Sequence, residues 1–476
     1  MVRWLLFVLL AAAVLRMAVV APLYLLDDEA YYWVWSRNLA LSYFDHPPMT
    51  AWMLAGFNAV FGDGLLAVRL PAILSVLVAS WAGVCLTAKI YKAPAVSGHY
   101  LFMTVVAALF FGTAMVMAPD APMTLFTALT LYFFYRAVFE DSRGAWYATG
   151  VFFGMALLSK YIAILWGLAL AAFLFSSPAQ RRQLKTAPPW IAVGLALLVF
   201  SPVLVWNAQH DWASFRFQLG HGLPSGKEGN VPAYFGSQAG LVTPGVFLVL
   251  LAVWGASLRR WRALPDAQRF LVLTSLLPFL FFIYAATKAP VSANWPAFAY
   301  FTGLMLVAAW HAGAGRGWRR GVVWLNYGLM TLLIAVIVAQ AHWRVLPLDK
   351  RDPAKRYHGW PEMLAKLETV AERYPGALLV GNNYQVQSQL AYHFKTPQLP
   401  ALNIDSRHNQ FDYFDRGALA GRDLLIVDKA YSLEPFAPYF DSVERLATFT
   451  IHWRGIPARH LSVVLGKNYR PGADGS

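Results

Sequence analysis

The feature that most constrains this chain is a series of long apolar segments separated by short loops. Only 13% of its 476 residues are charged, whereas soluble domains carry about 25%. Most of these segments are long enough to cross a hydrocarbon layer about 30 Å thick. The sequence therefore predicts a polytopic helical membrane protein with about eleven crossings. The segments lie at about 4–26, 65–88, 99–117, 121–139, 145–159, 161–176, 189–206, 240–257, 269–286, 295–311 and 321–341.

The first segment has two interpretations. Its Met-Val-Arg start and apolar run are loosely typical of a signal peptide. No small-residue cleavage site follows, however, and a run of about 22 residues can span a bilayer. We predict a retained first helix.

The basic residues predict orientation rather than a nucleic-acid partner. The net charge is +14, but no compact basic domain or RNA-binding signature accompanies it. With the N-terminus in the cytoplasm, the inner loops hold fourteen Lys and Arg and the outer loops five. This asymmetry fits the positive-inside rule. Eleven crossings then place the C-terminal tail in the periplasm. The single cysteine, Cys85, allows no internal disulfide.

The composition changes near His342, where charges become frequent. Short apolar runs at 377–380, 423–427 and 461–465 predict buried strands, and 361–374 and 385–394 have helical spacing. We therefore predict a transmembrane domain over 1–341 and a small extracytoplasmic α/β domain over 342–476.

The first long outer loop, 27–63, opens with Asp27, Asp28 and Glu29. Adjacent carboxylates at a membrane boundary repel one another and lose solvation, which raises pKa values and suits a general base. Acids also favour helix starts, so a capping role is the alternative, and both roles can hold. The residues that follow predict an interfacial helix with an aromatic face, on which Tyr31 is a candidate substrate contact.

Two further residues in the long outer loops are candidate phosphate contacts. His46 precedes two prolines that fix the backbone, and Arg216 lies in the second long loop. His46 could also act as an acid, and a structural role is the alternative for this histidine.

Three charges lie at other predicted outer junctions. Asp120 stands between prolines, Lys160 interrupts an apolar run, and Lys288 precedes an aromatic segment with two prolines. An isolated charge near a membrane is a functional candidate. The alternatives are an exposed turn for Asp120 and a snorkelling side chain for Lys160.

Acids and cations together fit a reaction in which an acceptor loses a proton and an anionic phosphate leaves. They also fit a proton-coupled transporter. The sequence has no HExxH, no paired cysteines and no P-loop, so zinc and nucleotide binding are unsupported. We predict no cofactor, and a divalent metal stays open.

Several short motifs resemble the bacterial members of glycosyltransferase family 39, relatives of the protein O-mannosyltransferases and of the lipid A aminoarabinose transferase, with the GT-C fold. The resemblance spans nearly the whole chain. The motifs are Asp28-Glu29-Ala30-Tyr31-Tyr32, Tyr43-Phe44-Asp45-His46-Pro47-Pro48, Pro119-Asp120-Ala121-Pro122, Leu158-Ser159-Lys160-Tyr161, Asn294-Trp295-Pro296, Asn383-Tyr384-Gln385 and 407–412.

This resemblance implies roles for the matching residues. Asp28, with Glu29 beside it, falls on the family's catalytic base, Asp120 on its second acidic position and Lys160 on its conserved lysine. The aminoarabinose branch has a lysine where this chain has His46, which argues against an aminoarabinose donor.

The implied reaction is an inverting transfer of a hexosyl or pentosyl group. Asp28 deprotonates the acceptor hydroxyl, which displaces polyprenyl phosphate, and Lys160, Lys288 or an arginine stabilises the leaving group. The implied setting is the periplasmic face of the bacterial inner membrane, among membrane lipids. The acceptor would be lipid A, lipopolysaccharide core or another glycolipid.

Three alternatives stay open. Within the enzymes, the chain could be a protein O-mannosyltransferase. Outside them, it could be a transporter or flippase of lipid-linked sugars, although no internal repeat is evident. An envelope scaffold would leave the membrane-boundary acids unexplained.

Overall fold

The computed structural model describes residues 2–222, 229–429 and 432–471, which are predominantly helical. They form two compact units. Unit 1 comprises Met1–Ala18, Leu41–Thr50 and Arg69–Ala335, and unit 2 comprises Val19–Ala40, Ala51–Val68 and Val336–Ser476.

The first helices include most of the predicted apolar segments. They are α1 (Val2–Val20), α2 (Asp27–Arg37), α3 (Met49–Phe61), α4 (Leu65–Tyr91), α5 (Pro94–Val106), α6 (Ala108–Met115), α7 (Asp120–Phe139), α8 (Arg143–Ser159), α9 (Ile164–Phe175), α10 (Pro178–Arg181) and α11 (Ala187–Gln209).

The remaining elements complete unit 1 and form most of unit 2. They are α12 (Ala213–Gly222), α13 (Val231–Val242), α14 (Pro244–Arg259), α15 (Asp266–Ala286), α16 (Ala299–Ala312), α17 (Trp318–Trp343), α18 (Trp360–Arg373), β1 (Leu378–Gly381), α19 (Tyr384–Phe394), β2 (Leu424–Asp428), β3 (Ser442–Trp453) and β4 (Ile456–Lys467).

Five helices within the described ranges are long and apolar enough to cross a membrane. They are α1, α4, α11, α15 and α17. Three bent pairs also qualify if each is counted as one span: α5 with α6 (55°), the 161–175 segment with the 178–185 segment (106°), and α13 with α14 (110°). Length and composition thus support up to eight spans, and the predicted count of eleven stays a prediction.

Helices of unit 1 approach closely where small residues meet. Gly150 and Gly154 lie one turn apart on α8, and a Cβ atom on Gly150 would lie 2.2 Å from the Ala192 carbonyl oxygen of α11. A Cβ atom on Gly154 would lie 2.8 Å from the Ala196 carbonyl oxygen. Small residues allow such backbone contact between apolar helices, where lipid removes most of the hydrophobic driving force.

Unit 2 contains a four-stranded sheet in the order β1-β2-β4-β3, with β1 parallel to β2 and the other pairs antiparallel. Side chains of β2 alternate between two apolar clusters. Leu425 and Val427 pack with Leu364 of α18 and Leu390 of α19, whereas Leu424 and Ile426 pack on the other face. Burial on both faces explains the uninterrupted apolar run of this strand.

The predicted helices over 361–374 and 385–394 are confirmed as α18 and α19, and the three predicted strands are confirmed within β1, β2 and β4. Strand β3 was not predicted. Most of its residues are exposed or half-buried, so its sequence has no apolar run. It lies at the edge of the sheet and pairs only with β4 among the described strands.

Replacing Gly150 with Ala should destabilise the protein, although Ala normally favours a helix over Gly by about 0.5–1 kcal/mol. The added methyl group would clash with the α11 backbone, and overpacking of this kind costs about 1–3 kcal/mol. Gly144→Ala is the control, because a Cβ atom there meets nothing within 4 Å. The thermal unfolding midpoint in detergent should fall for Gly150→Ala and hold or rise for Gly144→Ala. Equal midpoints would contradict the close α8–α11 contact.

Candidate active site

The start of α2 in unit 2 brings three carboxylates into consecutive positions. Leu26 has an extended backbone before the helix, and the Glu29 side chain accepts a hydrogen bond from its amide at 2.9 Å. This contact satisfies an amide that the helix itself leaves unpaired. Glu29 is fully buried, so its geometry is that of a cap. Its predicted catalytic role stays a prediction.

Asp27 joins α2 to the rest of unit 2. Its Oδ1 atom accepts from Trp360 Nε1 at 2.8 Å and from Gln389 Nε2 at 3.2 Å. Trp360 begins α18 and is itself buried. The carboxylate of Asp27 is thereby committed to packing, since it holds the start of α2 against α18 and α19.

Asp28 has 42% of its side chain exposed, whereas Glu29 is buried and the half-buried Asp27 is hydrogen-bonded as described above. The contacts of Asp28 are long: Arg356 Nη2 lies 3.4 Å from Oδ2, and the Tyr384 hydroxyl lies 3.4 Å from Oδ1. Partial burial raises the pKa of Asp28, the Arg356 charge opposes that rise, and the charge of Asp27 adds to it. A carboxylate of raised pKa with loosely held oxygens can take up a proton from a substrate.

An aromatic cluster supports the residues around Asp28. Tyr31 is buried, its hydroxyl accepts from the Gln410 amide at 2.7 Å, and its ring lies 4.8 Å from that of Tyr384. The Arg407 guanidinium lies over the ring of Tyr384, 4.9 Å from its centroid. Tyr31 therefore has a packing role here, and Arg407 adds a second cation beside Tyr384.

Unit 1 brings together two residues that the sequence suggested separately. Lys160 Nζ lies 3.0 Å from both carboxylate oxygens of Asp120. Asp120 is the first residue of α7, and Lys160 has an extended backbone where α8 ends. Their side chains are only 17% and 13% exposed. A pair held this far from water is costly to break, because either partner alone would leave an uncompensated charge.

The segment that holds His46 packs against α12 within unit 1. Gln218 Nε2 donates a hydrogen bond to the Asp45 carbonyl oxygen at 2.6 Å. The ring centroids of Phe44 and Phe217 are 4.6 Å apart. His46 is half-buried in this segment.

The two remaining predicted contacts are exposed. Arg216 lies on α12, and the Lys288 ammonium lies 5.8 Å from the Tyr284 ring centroid. The Asp120–Lys160 ion pair is formed by those two side chains, and the binding roles of Arg216 and Lys288 stay predictions.

Residues 2–222, 229–429 and 432–471 include no group of three or more His, Cys, Asp and Glu side chains placed to hold a metal ion. A divalent metal therefore gains no ligand set from this part of the chain.

Three residues near Asp28 were not predicted as site residues: Arg356, Tyr384 and Arg407. Tyr384 and Arg407 belong to motifs that carried the family resemblance, which was the available signal. Arg356 lies in a short 3₁₀ turn, Pro353–Tyr357, among other basic residues. Nothing in the sequence distinguishes it from its neighbours.

The family model for dolichyl-phosphate-mannose-protein mannosyltransferase matches residues 45–206. The lipid A galacturonosyltransferase RgtD of Rhizobium johnstonii is 28% identical over 442 residues, covering 86% of this chain and 87% of the relative. The predicted resemblance to the GT-C glycosyltransferases of family 39 is thereby confirmed. The same matches support a membrane glycosyltransferase with transmembrane helices.

Other relatives match over different lengths. The undecaprenyl phosphate-alpha-4-amino-4-deoxy-L-arabinose arabinosyl transferase of Pseudomonas savastanoi is 27% identical, over 54% of this chain and 50% of the relative. The chain thus spans about half of that protein. The structure of ArnT from Cupriavidus metallidurans bound to undecaprenyl phosphate has a TM-score of 0.66 at 15% identity, covering 96% of this chain and 97% of that one. At this identity the likeness shows the fold.

Replacing Arg356 with Gln should move the acidic limb of the pH–rate profile to higher pH. Arg356 lowers the pKa of Asp28 against the rise caused by burial, so its removal leaves the carboxylate protonated over a wider range. The limb of kcat/KM reports the pKa of the free enzyme. Arg351→Gln is the control, since Arg351 is exposed on the preceding 3₁₀ turn. An unmoved limb in Arg356→Gln would contradict the role given to this arginine.

Neutralising one partner of the Asp120–Lys160 pair should destabilise the protein more than neutralising both. Removing one member of a buried pair typically costs about 3–5 kcal/mol, whereas replacing both is often nearly neutral. Thermal midpoints of Asp120→Asn, Lys160→Met and the double variant would form a double-mutant cycle. If the drop in thermal midpoint of the double variant equalled the sum of the two single drops, the two charges would not stabilise each other and the prediction would be contradicted.

Proposed function

We propose that this protein transfers a sugar from a polyprenyl-phosphate carrier to lipid A or a related envelope glycolipid, with Asp28 as the general base. The observation that carries the proposal is the position of Asp28: accessible, of raised pKa, and flanked by two carboxylates already engaged in capping and packing. The relatives named for lipid A galacturonosyl transfer and undecaprenyl-phosphate aminoarabinose transfer support the donor and acceptor classes.

In the proposed reaction, Asp28 accepts the proton of an acceptor hydroxyl as that oxygen bonds to the anomeric carbon. The bond from that carbon to the carrier phosphate breaks, and polyprenyl phosphate leaves with the electron pair. Attack opposite the leaving group inverts the anomeric centre. A cation must stabilise the charge that develops on the leaving phosphate.

The proposed setting is the bacterial inner membrane, with the N-terminus in the cytoplasm and residues 342–476 in the periplasm. The distribution of Lys and Arg between the predicted loops supports this orientation. A long polyprenyl tail is soluble only in lipid, so a donor of this class requires a membrane enzyme.

For the sugar itself, we propose an acidic hexose such as a uronic acid. The galacturonosyltransferase relative matches over 87% of its length, whereas the aminoarabinose transferases match over about half. Arg356 contacts Asp28 directly. Arg407 lies over the ring of Tyr384, whose hydroxyl contacts Asp28. Two guanidinium groups favour a carboxylate on the donor and disfavour a cationic amino sugar.

The test is transfer by the purified full-length protein. It would be incubated with lipid A and either undecaprenyl-phosphate galacturonate or undecaprenyl-phosphate aminoarabinose, and products would be followed by mass spectrometry. The galacturonate donor should give a glycosylated lipid A. Asp28→Asn should lower turnover by about 10²–10⁴-fold, the usual contribution of a general base.

Asp141→Asn is the matched control, because Asp141 is an exposed residue between α7 and α8. It should keep wild-type turnover. Normal turnover by a folded Asp28→Asn variant would contradict the base assignment. Movement of the carrier across vesicles without any product would favour the flippase alternative, and glycosylation of a serine or threonine peptide in place of lipid A would favour a protein O-mannosyltransferase.

A further inference from the structure

A second candidate site lies in unit 1, and its lining includes none of the residues assigned to the candidate active site. It is a cavity of about 420 Å³ whose lining includes His99 of α5, His311 of α16, and Arg316, Arg320 and Tyr327 at the start of α17 and just before it. We call it the basic pocket. Sugar transfer as proposed above makes no use of it.

The inner wall of the basic pocket is a hydrogen-bonded group. Asn326 Nδ2 lies 3.4 Å from His311 Nε2, and His311 Nδ1 lies 3.4 Å from the Tyr327 hydroxyl. The same hydroxyl contacts His99 Nδ1. If the amide donates to His311 Nε2, the ring proton is on Nδ1 and the tyrosine donates to His99. That order leaves His99 Nε2 as a further donor to the pocket.

The rim of the basic pocket carries positive charge. Arg316 and Arg320 are exposed, and among the described residues neither has an ion-pair partner. Arg319 is the third arginine here, but its guanidinium lies over the rings of Trp310 and Trp318. Two uncompensated guanidinium groups beside imidazole and phenol donors favour an anion, and phosphate suits their geometry.

An apolar groove of about 600 Å³ adjoins the basic pocket and shares Trp324 and Tyr327 with it. The groove follows one face of α17, because its lining residues recur at spacings of three and four. They are Trp324, Tyr327, Gly328, Thr331, Leu332 and Ala335, with Phe102 from α5.

The groove has the length of a lipid chain in one leaflet. From Arg320 to Ala335 the helix rises about 22 Å, which covers a headgroup region and half of a hydrocarbon core about 30 Å thick. Gly328 lines the groove, and a Cβ atom there would meet nothing within 4 Å, so the groove is open at this position. Trp324 and Leu332 are 63% and 58% exposed, so the groove is open along its side.

We propose that the basic pocket and this groove bind one anionic membrane phospholipid. Its phosphate lies between Arg316 and Arg320, and one acyl chain lies along α17 over Gly328. The charge of the pocket selects an anionic headgroup over a zwitterionic one, and the continuous apolar groove selects a lipid over a free phosphate.

The test is lipid retention by the purified full-length protein, measured by native mass spectrometry with phosphatidylglycerol against phosphatidylcholine. Wild-type protein should retain phosphatidylglycerol preferentially. A surface arginine contributes about fivefold to anionic lipid binding, so Arg316→Gln with Arg320→Gln should lower retention by roughly 25-fold. Gly328→Leu should also lower retention by filling the groove.

Two matched controls separate this site from general lipid coating. Arg319→Gln removes the same charge from the same turn, and Gly321→Leu adds the same side chain to α17 at a glycine that lines neither cavity. Both should retain phosphatidylglycerol as the wild type does. Equal retention of the two lipids, or equal losses in the controls and the test variants, would overturn the proposal. Displacement by undecaprenyl phosphate at equal concentration would assign the site to the carrier lipid and overturn it as well.

Discussion

The arrangement at the first turn of α2 determines which residue can do chemistry in this protein. Three neighbouring carboxylates cannot all stay charged and unpartnered without repelling one another. Glu29 is buried as the cap of the helix, and Asp27 is bound to Trp360 and Gln389. The two flanking acids therefore fix the helix, and Asp28 keeps the exposure and loose contacts that a base needs.

The same physical constraint applies differently in unit 1. There the charges lie among apolar helices that approach through small residues such as Gly150. Asp120 at the start of α7 and Lys160 at the end of α8 form an ion pair. A paired charge in such surroundings is stable only while both partners remain.

Much of the fold follows from simple sequence patterns. Apolar runs in the sequence predicted β1, β2 and β4, because these strands are largely buried. The edge strand β3 is more exposed and has no such run. The acidic start before Tyr31 predicted α2. The sequence could not show which of Asp27, Asp28 and Glu29 caps the helix and which acts as a base. Capping and catalysis favour the same residue types at a helix start.

Tertiary contacts account for the parts of the site that the sequence did not predict. Asp120 and Lys160 were each singled out, but their pairing spans 40 positions and no local pattern encodes it. Arg356 reaches Asp28 across 328 positions from a turn that looks like any basic surface segment. Tyr31 was predicted as a substrate contact, which stays a prediction, and its ring packs against Tyr384 and Phe411.

The most direct measurement of the central claim is carboxyl labelling of the folded enzyme. A water-soluble carbodiimide with an amine nucleophile modifies accessible, protonatable carboxyl groups, and peptide mapping reports each site. We predict that Asp28 is modified before Asp27 and Glu29, and that transfer activity falls in step with its modification. Modification of Asp27 or Glu29 ahead of Asp28, or full activity with Asp28 modified, would contradict the account.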